Sequence, residues 1–216
     1  MYKGLTICAI IPAFNEAPAI GKVVTELLAI TDDNAASVID EIIVCDNASV
    51  DNTAEVARTA GARVVHQPIP GYGIACLTAL QARASTDVVL FVDGDDSCFP
   101  LQALRLLDGI AAGDDVAIGS RALGDRERGA LTPVQEFGNR LSAFLIRQLW
   151  NAQVTDLGPF RAVRSSALAM VNMEDKAFGW TVELQVKALQ LGLQMNEYAV
   201  DSKVRIGESK ISGTLK

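Results

Sequence analysis

The chain has 216 residues, half of them hydrophobic, so it can bury a substantial core and is too apolar to be disordered over most of its length. Its formal net charge of -7 argues against a general nucleic-acid binder, because such proteins present a basic face. The four cysteines show no C-x-x-C spacing and His66 is the single histidine, which argues against a zinc site, a secreted disulfide framework and a histidine metal cluster.

The first part of the chain alternates short apolar runs with helical patterns. In chain order, the predicted elements up to residue 120 are strand 5–11, helix 17–30, strand 39–45, helix 51–60 with Asp51 as its N-cap, strand 62–65, helix 71–84, strand 87–92, helix 101–111 and strand 115–118. Strands and helices at this spacing form right-handed β-α-β units. The sequence therefore predicts an α/β protein with a mostly parallel central sheet flanked by helices.

After Ser120 the pattern changes. Residues 121–132 are polar, charged and contain glycine, which predicts a mobile loop, and Pro133–Trp150 has the spacing of a long amphipathic helix. The remaining predicted elements are a strand near 160–163, a helix over 180–191 and a strand near 194–200. With no internal repeat in the chain, we expect a single domain over residues 1–216 with a functional seam near residue 120.

Charge is distributed unevenly across that seam. Residues 1–100 hold 5 basic and 13 acidic residues, whereas residues 101–216 hold 14 and 13. An acidic first part suits metal ligation, and an arginine-rich second part suits an anionic substrate. Ordinary variation of surface charge is the alternative explanation.

The most informative motif is Asp93-Gly94-Asp95, which follows the predicted buried strand 87–92. Open α/β sheets bind ligands at the carboxyl ends of their strands, where both carboxylates emerge. Gly94 allows a diphosphate to approach the backbone closely. Hard oxygen donors at this density prefer Mg²⁺ or Mn²⁺, which would neutralise and orient the diphosphate. A turn with capping aspartates is the alternative.

Polar residues also follow the first two predicted strands. Asp46 ends the second strand and, with Asn47 beside it, is a candidate to accept hydrogen bonds from a nucleotide base; helix capping is the alternative. The turn Pro12-Ala13-Phe14-Asn15-Glu16 lacks G-x-G-x-x-G, and no P-loop motif occurs, so dehydrogenase and P-loop chemistry are disfavoured. Gly71-Tyr72-Gly73, at a predicted helix start, is a candidate phosphate site.

This ordered set of motifs resembles the inverting glycosyltransferases of family 2, which have the Rossmann-like GT-A fold of nucleotide-diphospho-sugar transferases. Within that family, segments 156–161 and 205–210 are most similar to the enzymes that glycosylate dolichyl or other polyprenyl phosphates. The resemblance covers nearly the whole chain. It implies metal-dependent transfer of a hexose from a donor of the GDP-mannose or UDP-glucose type to a polyprenyl phosphate, with Mg²⁺ or Mn²⁺ as cofactor.

The resemblance also implies roles for individual residues. The residues expected to line the nucleotide pocket are Pro12, Ala13, Asn15, Glu16, Asp46, Asn47, Gly71, Asp93 and Gly94. The metal ligands expected are Asp93 and Asp95, the catalytic residues Asp156, Arg121, Arg205 and Lys210, and the acceptor-phosphate residues Arg140 and Arg161. Residues 1–120 are expected to form the nucleotide-sugar half and residues 121–216 the acceptor half. Relatives often carry glutamine where this chain has Ser97, which leaves the third protein ligand open, with Asp96 as a candidate.

The acceptor decides whether a general base is needed. A phosphate monoester, with a second pKa of about 6, is already anionic at neutral pH and needs none. A hydroxyl acceptor needs a carboxylate base, for which Asp156 and Glu183 are candidates, although Glu183 lies one turn before Lys187 and an ion pair is its alternative role. The competing functions are a family 2 transferase acting on a soluble or glycan hydroxyl, a sugar-nucleotide-binding protein without turnover, and a phosphoaspartate receiver domain.

No apolar stretch approaches the roughly 20 residues that cross a bilayer, and we expect a cytoplasmic protein in peripheral contact with the inner face of the membrane. The candidate contact joins residues 121–132 to the helix Pro133–Trp150. On that helix an apolar stripe lies beside two arginines: Leu141, Phe144, Leu145 and Leu149, with Arg140 and Arg147. Core packing is the commoner role of such a stripe.

Overall fold

The computed structural model describes residues 1–207, and within that range seven strands form one sheet. The strands are β1 (Ile7–Ala13), β2 (Glu41–Asp46), β3 (Arg63–His66), β4 (Val88–Phe91), β5 (Val116–Ser120), β6 (Arg161–Arg164) and β7 (Met195–Ala199). The helices are α1 (Ala17–Leu28), α2 (Thr53–Thr59), α3 (Tyr72–Ala82), α4 (Ala103–Ala112), α5 (Pro133–Trp150), α6 (Ser165–Val171) and α7 (Trp180–Gln190), with a short 3₁₀ turn, Pro100–Gln102, before α4.

The order of strands in the sheet is β3-β2-β1-β4-β6-β5-β7. Strands β1 to β4 pair in parallel, as do β5 and β7, whereas β6 runs antiparallel to both of its neighbours, β4 and β5. The prediction of a mostly parallel α/β sheet is confirmed. The antiparallel strand follows α5, which returns the chain to the sheet in the opposite direction.

Strand β1 shows why the predicted strands are continuous apolar runs. Ile7, Ala9 and Ile11 pack into the core on one face of the sheet, where α1, α2 and α4 lie. Cys8 and Ile10 pack into the core on the other face, under α3, α6 and α7. Because helices cover both faces, neither side of the strand meets water, and the sequence shows no alternation with polar residues.

Two local predictions differ from the structure. Helix α2 has Asn52 at its N-cap, so the prediction for Asp51 is wrong by one residue. The Asp51 carboxylate nevertheless accepts hydrogen bonds from the backbone N–H of Thr53 (3.0 Å) and of Ala17 (3.2 Å), which connects α2 to α1. Helix α6 was not predicted, because two turns are too short to establish a helical period.

Helix α5 has the predicted bounds and begins with a capping box between Thr132 and Gln135. Its inner side packs Ala143 and Ile146 into a small apolar cluster with residues of α7 and β7. Among residues 1–207, no helix is both long and apolar enough to cross a membrane.

Candidate active site

A cavity of about 340 Å³ lies at the carboxyl ends of β1, β2 and β4. Its lining residues are Pro12, Ala13, Phe14, Glu16, Asn47, Pro70, Gly71, Tyr72, Ala75, Asp93, Gly94, Asp95, Ala177, Phe178 and Arg205. The volume is that of a small-molecule site. Seven of the nine residues predicted for the nucleotide pocket lie on this wall, and residues from beyond position 120 complete it, so the cavity is not confined to the first half of the chain.

The other two predicted nucleotide residues, Asn15 and Asp46, are not on the cavity wall. Asn15, at a φ of 53°, accepts a hydrogen bond from the Val50 backbone N–H (2.8 Å). The Asp46 carboxylate lies 3.1 Å from the His66 ring and accepts from the Ser49 backbone N–H (3.3 Å). Both side chains therefore hold the turns that follow β1 and β2.

Asn47 shapes the cavity through the segment that leads into α3. Its amide donates to the carbonyls of Gln67 (3.0 Å) and Ile69 (2.6 Å) and accepts from the N–H of Gly71 (2.7 Å). Gly71 has a φ of 153°, and a Cβ there would lie 2.4 Å from the Lys176 carbonyl oxygen. A glycine is required at this point, because the strand-to-helix turn and the segment before α7 meet there.

Two carboxylates mark the end of β4 on the cavity wall. Burial and the neighbouring Asp95 charge raise the pKa of Asp93 to about 6. Asp93 accepts a hydrogen bond from the hydroxyl of the partly buried Tyr72 (3.1 Å). Asp95 accepts from the Ser97 backbone N–H (3.0 Å) and forms an ion pair with Arg205. The Asp93 and Asp95 carboxylates repel each other, and a bound cation would relieve this repulsion.

A divalent cation fits this donor set, because Mg²⁺ and Mn²⁺ prefer oxygen ligands and Mg²⁺ is held by one or two protein carboxylates together with substrate phosphates. The described residues include no group of three or more acidic, histidine or cysteine side chains suited to a metal. Asp96 does not serve as a third ligand, since its carboxylate pairs with Lys22 (2.7 Å) and Lys203 (2.6 Å).

Arg121 and Asp156 form a bidentate ion pair. Arg121 donates from Nε and from its backbone N–H to Oδ2, and from Nη2 to Oδ1, each at 2.8 Å. Burial alone would raise the pKa of Asp156, but the hydrogen bonds and charge of Arg121 outweigh it and hold that pKa below its ordinary value. Asp156 is therefore a poor general base. Arg121 also lines a small second cavity of about 20 Å³, which Asp93 shares.

The loop that carries Asp156 is held by contacts that the sequence did not reveal. The Glu197 carboxylate, on β7, accepts from the backbone N–H of Thr155 (2.8 Å) and of Asp156 (3.2 Å). Asn139, on α5, accepts from the Leu157 N–H (2.8 Å). Neither Glu197 nor Asn139 lies in a motif, so only the packing of β7 and α5 around the loop identifies them.

The two arginines predicted to bind an acceptor phosphate lie elsewhere. Arg161 is 1% exposed, and its guanidinium donates to backbone carbonyls, those of Gly158 and Thr181 among them. It joins the loop before β6 to α7. Arg140 projects from α5 with its side chain 77% exposed, paired with Glu136 at 2.9 Å. Neither arginine lines either of the two cavities described above. The structure thus gives Arg161 a structural role and places Arg140 on the outer surface.

Glu183 forms an ion pair with Lys187, which is the alternative to catalysis that their spacing in the sequence suggested. Its carboxylate pairs with Lys187 at 2.7 Å and accepts from the backbone N–H groups of Glu174 (2.9 Å) and Asp175 (2.8 Å). These contacts lower the pKa of Glu183 against the opposing effect of burial, which is the largest single influence. Asp156 and Glu183, the two carboxylates predicted as candidate general bases, are thus both held in ion pairs and not available to take a proton from an acceptor.

The segment that carries Arg205 lies along the end of β4. The backbone N–H of Ile206 donates to the Asp95 carbonyl (2.9 Å), and that of Lys203 donates to the Ser97 carbonyl (3.0 Å). These two hydrogen bonds hold residues 203–206 against the end of β4. Lys210, predicted to be catalytic, lies outside the described residues.

Three aromatic residues on the cavity wall were not predicted as site residues. Phe14 and Tyr72 lie inside motifs that drew attention for their polar neighbours. Phe178 precedes α7, far along the chain, and has no motif around it. Tertiary packing alone brings Phe178 to the cavity.

The chain matches the model of the glycosyl transferase family 2 over residues 8–170. It is 32% identical over 207 residues to the dolichyl-phosphate hexose transferase of Haloferax volcanii, covering 95% of this chain and 86% of that one. It is 34% identical over 176 residues to an uncharacterized glycosyltransferase of Mycobacterium tuberculosis, covering 81% and 79%.

A similar fold is found in the glucosyl-3-phosphoglycerate synthase of Mycobacterium tuberculosis, crystallised with Mn²⁺, UDP-glucose and phosphoglyceric acid. The two structures align with a TM-score of 0.78 over 97% of this chain and 74% of that one, at 24% identity. The TM-score establishes a shared α/β architecture, and at this identity the comparison shows the fold alone.

Proposed function

Because this chain belongs to the glycosyl transferase family 2, we propose that it transfers a hexose, with inversion, from a nucleoside-diphosphate sugar to a polyprenyl phosphate. The 340 Å³ cavity is the donor site in this proposal. Its wall combines the apolar surface of Phe14 and Phe178 with the Asp93 and Asp95 carboxylates. This division suits a ligand with a flat base at one end and a diphosphate at the other.

The diphosphate binds at the end of β4. Asp93 and Asp95 would hold Mg²⁺ or Mn²⁺, which supplies charge neutralisation of the departing diphosphate. Arg205 would contact the same phosphates, a role supported by its ion pair with Asp95 and its position on the cavity wall. The support from relatives is that the synthase with the similar fold was crystallised with Mn²⁺ and UDP-glucose.

One observation supports a phosphate acceptor: Asp156 and Glu183, the two candidate bases, both form internal ion pairs. A hydroxyl acceptor would have to lose a proton to such a base, whereas an anionic phosphate needs none. An acceptor phosphate oxygen attacks the anomeric carbon from the face opposite the diphosphate. The carbon–oxygen bond to the diphosphate breaks, and no proton has to be removed from the acceptor.

Arg121 is proposed to bind the acceptor phosphate. It lies beside Asp93 at the second cavity, and its charge, like that of Arg205, lowers the pKa of Asp93 against the opposing effects of burial and of Asp95. A guanidinium keeps its charge and binds phosphate through two parallel hydrogen bonds. The similarity to the dolichyl-phosphate hexose transferase supports a lipid-linked phosphate as the acceptor.

Radiolabelled UDP-glucose or GDP-mannose, offered with a polyprenyl phosphate and Mn²⁺, is expected to yield a lipid-extractable product. A sugar joined through a phosphodiester to the lipid is released by mild acid, which identifies the linkage. Heat-inactivated protein and a reaction with the free polyprenol are the controls. Label found only in water-soluble glycosides, with either donor, would contradict the lipid acceptor and favour a soluble hydroxyl acceptor.

Replacement of Tyr72 by phenylalanine is expected to raise the Mn²⁺ concentration needed for half-maximal stabilisation by UDP about tenfold or more. The reason is that the Tyr72 hydroxyl orients the Asp93 carboxylate and lowers its pKa, and loss of such a partner behind a metal ligand costs about 10–100-fold in metal affinity. Thermal shift at a series of Mn²⁺ concentrations measures it. Tyr2→Phe is the matched control, since Tyr2 makes an equivalent bond to the remote Asp108 (2.6 Å). An unchanged Mn²⁺ requirement in Tyr72→Phe would show that this hydroxyl does not support Asp93.

A further inference from the structure

Helix α5 presents an apolar face on its outer side. Six large apolar side chains there are between 45% and 73% exposed: Val134, Phe137, Leu141, Phe144, Leu145 and Leu149. The residues that hold the helix to the protein, Ala143 and Ile146, are buried on the other side. An apolar stripe of this kind most often packs into a core, but on α5 it faces outward.

The geometry of the helix makes these six residues a single surface. At 100° per residue they fall within an arc of about 140°, centred roughly opposite Ala143 and Ile146. Gly138 and Gln148 lie within the same arc and carry no charge. The outer face of α5, defined by the six apolar residues, is thus continuous along the helix.

The charges at the edge of this face select its partner. Arg140 and Arg147 lie side by side along one edge of the arc, and both are exposed. Glu136 is the only acidic residue of α5, and it already pairs with Arg126 (3.3 Å) and Arg140 (2.9 Å). A second copy packed on this face, parallel or antiparallel, has no carboxylate in its own α5 to pair with Arg147. A layer of anionic phosphate groups supplies negative charge for both arginines.

We propose that the outer face of α5 lies in the surface of an anionic lipid bilayer, with its apolar side chains among the acyl chains and Arg140 and Arg147 at the headgroups. This inference rests on the proposed function in one respect, because the proposed acceptor, a polyprenyl phosphate, resides in a membrane. The surface itself is argued from the exposure and charge of α5 alone.

Sedimentation of the full chain with lipid vesicles tests the proposal. Binding is expected to vesicles of phosphatidylcholine with phosphatidylglycerol, and to be weaker with phosphatidylcholine alone or at high ionic strength. Leu145→Glu is expected to lower the partition coefficient about tenfold or more, because a buried leucine contributes about 1.5–3 kcal/mol and a charge replaces it. Arg147→Gln is expected to weaken binding to the anionic vesicles only.

Met170→Glu is the matched control, because Met170 is similarly exposed (57%, against 46% for Leu145) and the change in charge is the same. It is expected to bind as the wild type does. Equal vesicle binding by Leu145→Glu and Met170→Glu would overturn the proposal, as would a wild-type dimer in light scattering that Leu145→Glu converts to monomer. Transfer to a polyprenyl phosphate in detergent is measured separately. A wild-type protein that transfers the sugar but does not bind anionic vesicles would reject the docking face and leave the proposed function standing.

Discussion

Replacement of Asp95 by asparagine is expected to abolish metal-dependent nucleotide binding while the protein still folds. The change removes one of two carboxylates at the end of β4 and keeps the shape of the side chain. Turnover is expected to fall by about 10³-fold, since a group that stabilises the developing charge of a leaving group contributes on this scale. Two opposing effects leave the ligand-free stability nearly unchanged: the ion pair with Arg205 is lost, and so is the repulsion of Asp93.

Thermal shift with UDP or GDP, with and without Mn²⁺, measures this prediction. Asp96→Asn is the control, because Asp96 is the next residue and equally buried but pairs with Lys22 and Lys203. It is expected to lose stability and to keep the Mn²⁺-dependent shift. Equal Mn²⁺-dependent shifts in Asp95→Asn and the wild type would remove Asp95 from the metal site.

Replacement of Arg121 by methionine is expected to destabilise the protein by about 3–5 kcal/mol, which is the cost of leaving a buried charge without its partner. The Asp156 side chain is 1% exposed and has Arg121 on both carboxylate oxygens. In a chain of this length the loss corresponds to a fall in Tm of about 6–20 °C. Transfer to the acceptor is expected to be lost as well.

The destabilisation by Arg121→Met is expected to depend on pH. In the wild type the pKa of Asp156 is below its unfolded value, so the pair stabilises the fold above about pH 4 and loses this effect as pH falls through the native pKa. In the variant, burial acts on Asp156 unopposed and raises its pKa, so acid neutralises the unpaired carboxylate. The difference in unfolding free energy between variant and wild type should therefore shrink as pH is lowered from 7 towards 4.

Denaturant unfolding at several pH values checks this, with Arg121→Met/Asp156→Asn as the companion variant. The double change removes both charges and is expected to recover most of the lost stability, because no unpaired charge remains. A destabilisation of the same size at every pH, or a double variant no more stable than Arg121→Met, would show that packing rather than charge pairing holds Arg121.

Hydrophobic periodicity in the sequence was sufficient to predict the helices and strands, and the motifs at strand ends were sufficient to predict the main features of the donor site. Hydrophobic spacing is a local property, so all seven strands and six of the seven described helices were predicted, α5 with its correct bounds. The motif Asp93-Gly94-Asp95 follows a buried strand, and parallel strands bring their carboxyl ends to one edge. Its place beside the turn after β1 and the start of α3 therefore followed from chain order alone.

Side-chain partners across the fold were decided only by tertiary structure. Arg161 resembled a phosphate ligand in sequence but is buried against backbone carbonyls, and Asp156 resembled a base but is neutralised by Arg121. The outer face of α5 has the same apolar spacing as a core helix, and only the position of its neighbours shows which side is covered. Sequence determines the periodicity and the chemistry of each side chain. The packing of distant segments determines which of these side chains meet a partner within the protein and which remain free to meet a ligand.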